Sequence, residues 1–155
     1  MMMTASPAMT ELVLETFRLN GRLLAAGDAL VAELGLTSAR WQVLGAVALS
    51  PMPLPVAHIA RNMGLTRQAV QRLANEMERD GLVRFGPNPH HQRARLVMLT
   101  ARGRTAYDAA MTRQGPWANR LARGLSVRQI GAAIAMLRAI RERLEDPSER
   151  EDDND

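Results

Sequence analysis

The apolar positions of this chain form long helical stripes at both ends and shorter, mixed patterns between them. Over residues 10–34, Leu12, Phe17, Leu23, Leu24, Leu30, Val31 and Leu34 share a broad face, which predicts one long helix. Gly21 and Gly27 interrupt that face but permit another helix to approach closely, and Gly35 is placed to stop it. A shorter helix is predicted over residues 38–49, capped by Thr37, with Trp41, Val43, Leu44 and Val47 apolar. Residues 50–55 hold Pro51, Pro53 and Pro55, so they are expected to connect without regular structure. Pro55 itself suits the first turn of the following helix.

The middle of the chain reads as two helices joined by a tight turn. Val56, Ile59, Ala60 and Met63 are spaced as a buried stripe, Gly64 pivots the turn, and Thr66 caps a helix that runs to Asp80 and stops at Gly81. This is the helix-turn-helix pattern. Residues 82–85 and 94–99 then read as strands around a polar, turn-rich loop at 86–93. On the second strand Arg95, Val97 and Leu99 would share one face, with Leu96 and Met98 on the other. Two strands with a basic loop after such a helix make a wing.

Thr100 is placed to cap another long helix through Tyr107 and Met111 towards Leu121, with Gly115-Pro116 predicting a kink or break. Ser126 caps a last helix striped by Val127, Ile130, Ile134, Leu137 and Leu144. The expected fold is mainly α with a small β-wing. A winged helix-turn-helix DNA-binding domain spans residues 36–100, and N- and C-terminal dimerisation helices span 10–34 and 101–144. Flexible residues 1–9 and an acidic disordered tail, 145–155, flank these parts.

Composition changes this picture little; charge changes it more. With only five aromatic residues and ten methionines, the interior must be aliphatic, which suits packed helices. The absence of cysteine excludes disulfides and thiolate metal sites. No stretch approaches a membrane span, and residues 1–10 lack the basic start of a signal peptide, so the expected location is cytoplasmic. All twenty basic residues are arginine, and seven of sixteen acids lie in residues 145–155. Before that tail nineteen arginines face nine acids, a balance of +10. GC-rich coding accounts for the missing lysine but not for where the charge concentrates.

Several fragments, in order, resemble the multiple-antibiotic-resistance regulator (MarR) family across residues 10–144. They are Leu36-Thr37, Trp41-Gln42-Val43-Leu44, Ile59-Ala60 before Gly64, then Val70, Leu73 and Glu76. Asp80-Gly81-Leu82-Val83, Arg93-Ala94, the run from Leu96 to Thr100, and Gly103 complete the set. The resemblance implies a two-fold symmetric homodimer whose first and last helices intertwine, often a repressor of nearby genes. It also implies release of DNA when a small aromatic or phenolic ligand binds between the DNA-binding and dimerisation regions. Two positions depart from the family's pattern: His91-Gln92-Arg93 stands where Asp-x-Arg is usual in the wing, and Gln71 stands where a small hydroxyl residue is usual.

Placed on a helix, residues 66–80 separate into a buried face of Val70, Leu73 and Met77, flanked by Ala69 and Ala74, and a polar face of Gln68, Gln71, Arg72, Asn75 and Arg79. The N-terminal half of such a helix meets base edges in the major groove. Arg72 is suited to guanine, and Gln68 or Gln71 to adenine; Thr66, Arg67 and Asn75 complete the DNA-facing set. On the wing, Arg93 is placed for the minor groove, and Arg84 and Arg95 for phosphates. Arg95 also has a structural reading through its shared face with Val97 and Leu99. Tyr107, Met111 and Trp117 are the candidates for a ligand pocket.

His58, His90 and His91 lack partners spaced for a metal, and no cofactor is expected. An enzyme would need a nucleophile with its base, paired carboxylates or a phosphate loop, and the chain offers none of these. The rival reading is a winged-helix protein-interaction module without DNA binding. Such a module should expose apolar residues on its second helix, where this chain exposes glutamine, arginine and asparagine. The expected partner is therefore double-stranded DNA carrying a pseudo-palindromic operator.

Overall fold

The computed structural model describes residues 4–146. Helix α1 (Ala5–Val31) continues into a 3-10 turn at Ala32–Leu34 and ends at Gly35, whose φ of 72° is left-handed. Then follow α2 (Ser38–Leu49), β1 (Leu54–Pro55), α3 (Val56–Met63), α4 (Arg67–Arg79), β2 (Val83–Gly86), β3 (Leu96–Leu99), α5 (Ala101–Leu121) and α6 (Val127–Glu145). The three strands form an antiparallel sheet in the order β1-β3-β2. Among the described residues no helix is long and apolar enough to cross a membrane.

Helix α1 begins at Ala5, within the stretch expected to be flexible. Pro7 lies in the first turn, where its missing N–H has no intrahelical acceptor to lose, and Thr10, inside the helix, donates its hydroxyl to the Ser6 carbonyl (3.2 Å). Residues 1–3, and the expected acidic tail after Asp146, lie outside the described residues. The connector at 50–55 also differs from expectation, because it contains β1. Leu54 and Pro55 pair with Val97 and Leu96 of β3, and burial of Leu54 accompanies the pairing. A proline is tolerated there because the strand lies at the sheet's edge. Pro55 then serves as the N-cap residue of α3 rather than its first turn.

The chain divides at Gly115–Pro116 into two units. In the first, one core gathers Val31, Val43, Leu44, Ile59, Val70, Met77, Val83 and Val97, all essentially inaccessible, from α1 to α4, β2 and β3. Helix α2 packs against α1 where Gly27 has no side chain; a Cβ there would run into Ser38 Oγ. Ser38 is buried, and its hydroxyl donates to the Leu24 carbonyl while its N–H donates to Asp28 Oδ1, both at 2.7 Å. Gly27 thus provides the close approach expected of it, whereas nothing lies within reach of a Cβ on Gly21.

The second unit contains the end of α5 and all of α6. Helix α5 is unbroken at Gly115-Pro116, contrary to a break there. Pro116 removes one N–H, but a formed helix extends past the gap without a new nucleation event. Ser126 and Gln129 form a reciprocal capping box that starts α6 (2.9 and 3.1 Å). No residue of α6 is buried: its apolar stripe lies open at Val127, Ile130, Ile134 and Leu137.

Candidate nucleic-acid interface

The turn between α3 and α4 is built on Gly64, whose φ of 65° is costly for any residue with a Cβ. Its N–H closes the end of α3, and the Leu65 N–H follows onto the Ala60 carbonyl at 3.0 Å. Thr66 then caps α4, its hydroxyl accepting from the Ala69 N–H at 3.1 Å. The same hydroxyl retains its own hydrogen as a donor. Val70, Ala74 and Met77 are fully buried, and Leu73 is half-buried against the same core, so the inward face is the expected one turned slightly towards Ala74. Arg67, Gln68, Gln71, Arg72, Asn75 and Arg79 are all exposed on the other side. Gln71 donates to Asn75 Oδ1 at 2.9 Å, which ties these two amides together.

The far end of α4 is clamped from two directions. Arg40 of α2 pairs with Asp80 at 2.7 Å. Thr100 donates to the Gly81 carbonyl at 2.6 Å while accepting from the Gly103 N–H at 2.9 Å, so one hydroxyl joins this turn to the start of α5. Gly103 makes the junction possible, because a Cβ there would collide with the Leu82 carbonyl oxygen.

In the wing, β2 pairs with β3 from Val83↔Leu99 to Gly86↔Leu96. Ala94 and Arg95 precede β3, although the sequence placed them on it. The Ala94 carbonyl is taken by Asn88 Nδ2 (2.8 Å) and its N–H by the His91 carbonyl (3.1 Å), so this residue is committed to the loop. Asn88 also accepts from the His90 N–H at 3.0 Å, and a neutral amide thereby organises the wing tip. The Arg95 guanidinium lies over the Phe85 ring, 5.2 Å from its centroid, and contacts the Phe85 carbonyl at 3.5 Å. Arg84 is exposed on β2, and Arg93 is exposed near the tip.

An open cleft of about 970 Å³ lies between α4 and the wing. Of the nine candidate DNA-facing residues it brings together Arg67, Gln68, Gln71, Arg72, Asn75, Arg93 and Arg95. Thr66, at the cap of α4, and Arg84, on β2, do not line it. Five arginines and one carboxylate, Glu78, border the cleft, so its potential is strongly positive. Arg79, Glu78, Phe85 and His91 join the lining beyond the predicted set. Glu78 was legible as the next outward position after Gln71 and Asn75 at helical spacing, but an acid there gave no reason to select it.

Of the ligand candidates, Tyr107 is buried in the core, with its ring against Gly45; Met111 is exposed and Trp117 half-buried. A second, largely apolar cleft of about 670 Å³ lies between α2, the connector and α3, bordered by Gln42, Leu49, Met52, His58 and Met63. None of the three candidates lines it. Among the described residues, no three histidines or acids are grouped to hold a metal ion.

An exposed polar helix, a glycine turn behind it and a basic wing beside it define a winged helix-turn-helix protein of the DNA-binding class. A profile described as the MarR family matches residues 34–94. An uncharacterized protein of Mycobacterium tuberculosis is 39% identical over 117 residues, covering 76% of this chain and 80% of that protein. The transcriptional activatory protein BadR of Rhodopseudomonas palustris is 36% identical over 84 residues, 53% of this chain and 48% of its own. Among solved structures, the M. tuberculosis transcriptional regulator MosR in complex with DNA is similar over 85% of this chain and 96% of its own, with 28% identity and a TM-score of 0.70. CouR of Rhodococcus jostii, bound to p-coumaroyl-CoA, shares the fold over 84% and 91% of the two chains, with 24% identity and a TM-score of 0.75. The chain belongs to the MarR family, whose members are transcription regulators rather than enzymes.

Proposed function

We propose that two copies of this chain bind one pseudo-palindromic stretch of double-stranded DNA and repress nearby genes. The observation that carries the reading is the cleft in which α4 and the wing present five arginines together with Gln68, Gln71 and Asn75. Arginine matches guanine edges and phosphates, and the amides match adenine. With α4 in the major groove, Gln68, Gln71, Arg72 and Asn75 face bases. Thr66 and Arg67, at the helix start, and Arg84, on β2, face phosphates, and Arg93 reaches towards the minor groove. MosR, a structural neighbour, is known in complex with DNA, which supports the placement.

Selection of bound duplexes from a random pool tests this directly. A two-fold symmetric motif is expected; an asymmetric motif, or none, would overturn it. The sense of regulation is read by a reporter placed behind the selected site, where repression is expected on expressing the chain.

Relief by a small aromatic ligand is the family-derived part of the proposal. It is supported by CouR's complex with p-coumaroyl-CoA, while Tyr107 is held within the core. Phenolic acids and their thioesters, titrated against the preformed DNA complex, should release it. Unchanged binding throughout would remove this step.

A further inference from the structure

A carboxylate among five arginines on a DNA-facing cleft is at first sight misplaced, since it would repel phosphate. The structure gives Glu78 a different task. Its Oε2 accepts the backbone N–H of Phe85 at 2.9 Å. Strand β2 lies at the edge of the sheet, so this N–H has Glu78 rather than another strand as its partner. Arg95 holds the same residue as well, with its guanidinium over the ring and a donor on the carbonyl. A cation over an aromatic face at this distance is attracted to it, which draws the guanidinium onto the wing.

We propose that Phe85 is the joint through which α4 sets the position of the wing, with Glu78 and Arg95 as its two positioning residues. Arg95 thereby acts on DNA through the wing it braces rather than as an independent phosphate contact, and Arg93 and Arg84 are the contacts that benefit. The inference rests on the DNA-binding reading. It also explains how a wing lacking the usual acid at position 91 is held: the carboxylate comes from α4, and Asn88 orders the tip.

Two residues acting through one joint should not have additive effects, whereas two independent contacts should. The test measures affinity of the full chain for its selected duplex at fixed salt by fluorescence anisotropy. Glu78→Ala and Arg95→Ala should each weaken binding about tenfold, and the double variant should also lose about tenfold rather than a hundredfold. Glu78→Gln should stay near the parent, because an amide oxygen still accepts the Phe85 N–H. Hydroxyl-radical footprints should show the flanking protection lost in Glu78→Ala while the central protection persists, a split that general loss of stability would not give.

Multiplicative losses would restore Arg95 as a separate contact and overturn the proposal, as would tighter binding by Glu78→Ala. If Glu78→Ala fails to fold, Phe85→Leu keeps the backbone groups and removes the ring. Arg95→Ala should then cost less in that background than in the parent, and an undiminished effect overturns the joint. Failure of the parent chain itself to bind any duplex overturns the DNA reading instead, a separate and recognisable outcome.

Discussion

Helices α4 and α6 carry apolar stripes of similar spacing, yet the chain treats them in opposite ways. On α4, Val70, Ala74 and Met77 are fully inaccessible, covered by α2, α3 and the sheet. On α6, Ile130, Ile134 and Leu137 remain 37–44% exposed and nothing on the helix is buried. The first helix has committed its apolar stripe to the core, with Leu73 half-covered at its margin, and presents polar groups outward. The second leaves its apolar face open, and the proposed dimer would cover it. Helix α1 resembles α6 over most of its length, with Phe17 at 70% exposure, and only its end at Val31 enters the core. Apolar helix faces left open in this way are suited to an interface, which is the physical content of the proposed dimer.

The severest way to break this comparison is to remove residues 1–34. That deletes both an uncovered face and Val31, a core residue, so light scattering should show loss of the dimer or of soluble protein. A well-folded, dimeric truncation would place the interface elsewhere. Ile134→Asp is the cleaner companion, since it leaves the core of the first unit untouched and should yield monomers.

Within the covered stripe, Met77→Ala should cost about 2–5 kcal/mol by leaving a cavity in a closed core. Chemical denaturation measures it, and a loss comparable to that of a surface site would contradict the burial. On the polar side of the same helix, Arg72→Ala should leave stability nearly unchanged but cost about 1–3 kcal/mol of affinity on the selected duplex, and much less on random DNA. Equal losses on the two duplexes would reassign Arg72 to the phosphate backbone. The smallest effect is expected at Arg141, paired with Glu145 at 3.6 Å on the exposed face of α6. Its replacement by alanine should change stability by no more than about 0.5 kcal/mol.

Helix bounds were legible where the chain carries local chemistry for starting and stopping. Thr37, Thr66 and Ser126 each cap the helix they were expected to cap, and Gly35, Gly64 and Gly81 end helices in the left-handed conformation. What escaped notice depends on residues brought together from afar. Strand β1 consists of two residues, one of them proline, and exists because Leu54 meets Val97. Nothing near residue 54 announces that pairing. The polar face of α4 could be read from its period, but the role of Glu78 required knowing that the chain returns to place Phe85 beside it. Arg95 was assigned to a strand by alternation, while Asn88, six residues before Ala94, held the backbone in the loop.

The two-residue edge strand has a consequence for how this protein behaves when crowded. A sheet with a long open side can recruit a strand from a neighbouring molecule and grow into an aggregate. Here the β1 side offers a stranger at most one amide hydrogen, because Pro55 has none and α3 begins immediately afterwards. At the opposite border, one hydrogen of β2 is already engaged by Glu78. Nascent or concentrated chains therefore meet a small sheet whose borders give foreign strands little to grip. Association in the proposed dimer would then fall to helical surfaces, where shape and register decide which encounters persist.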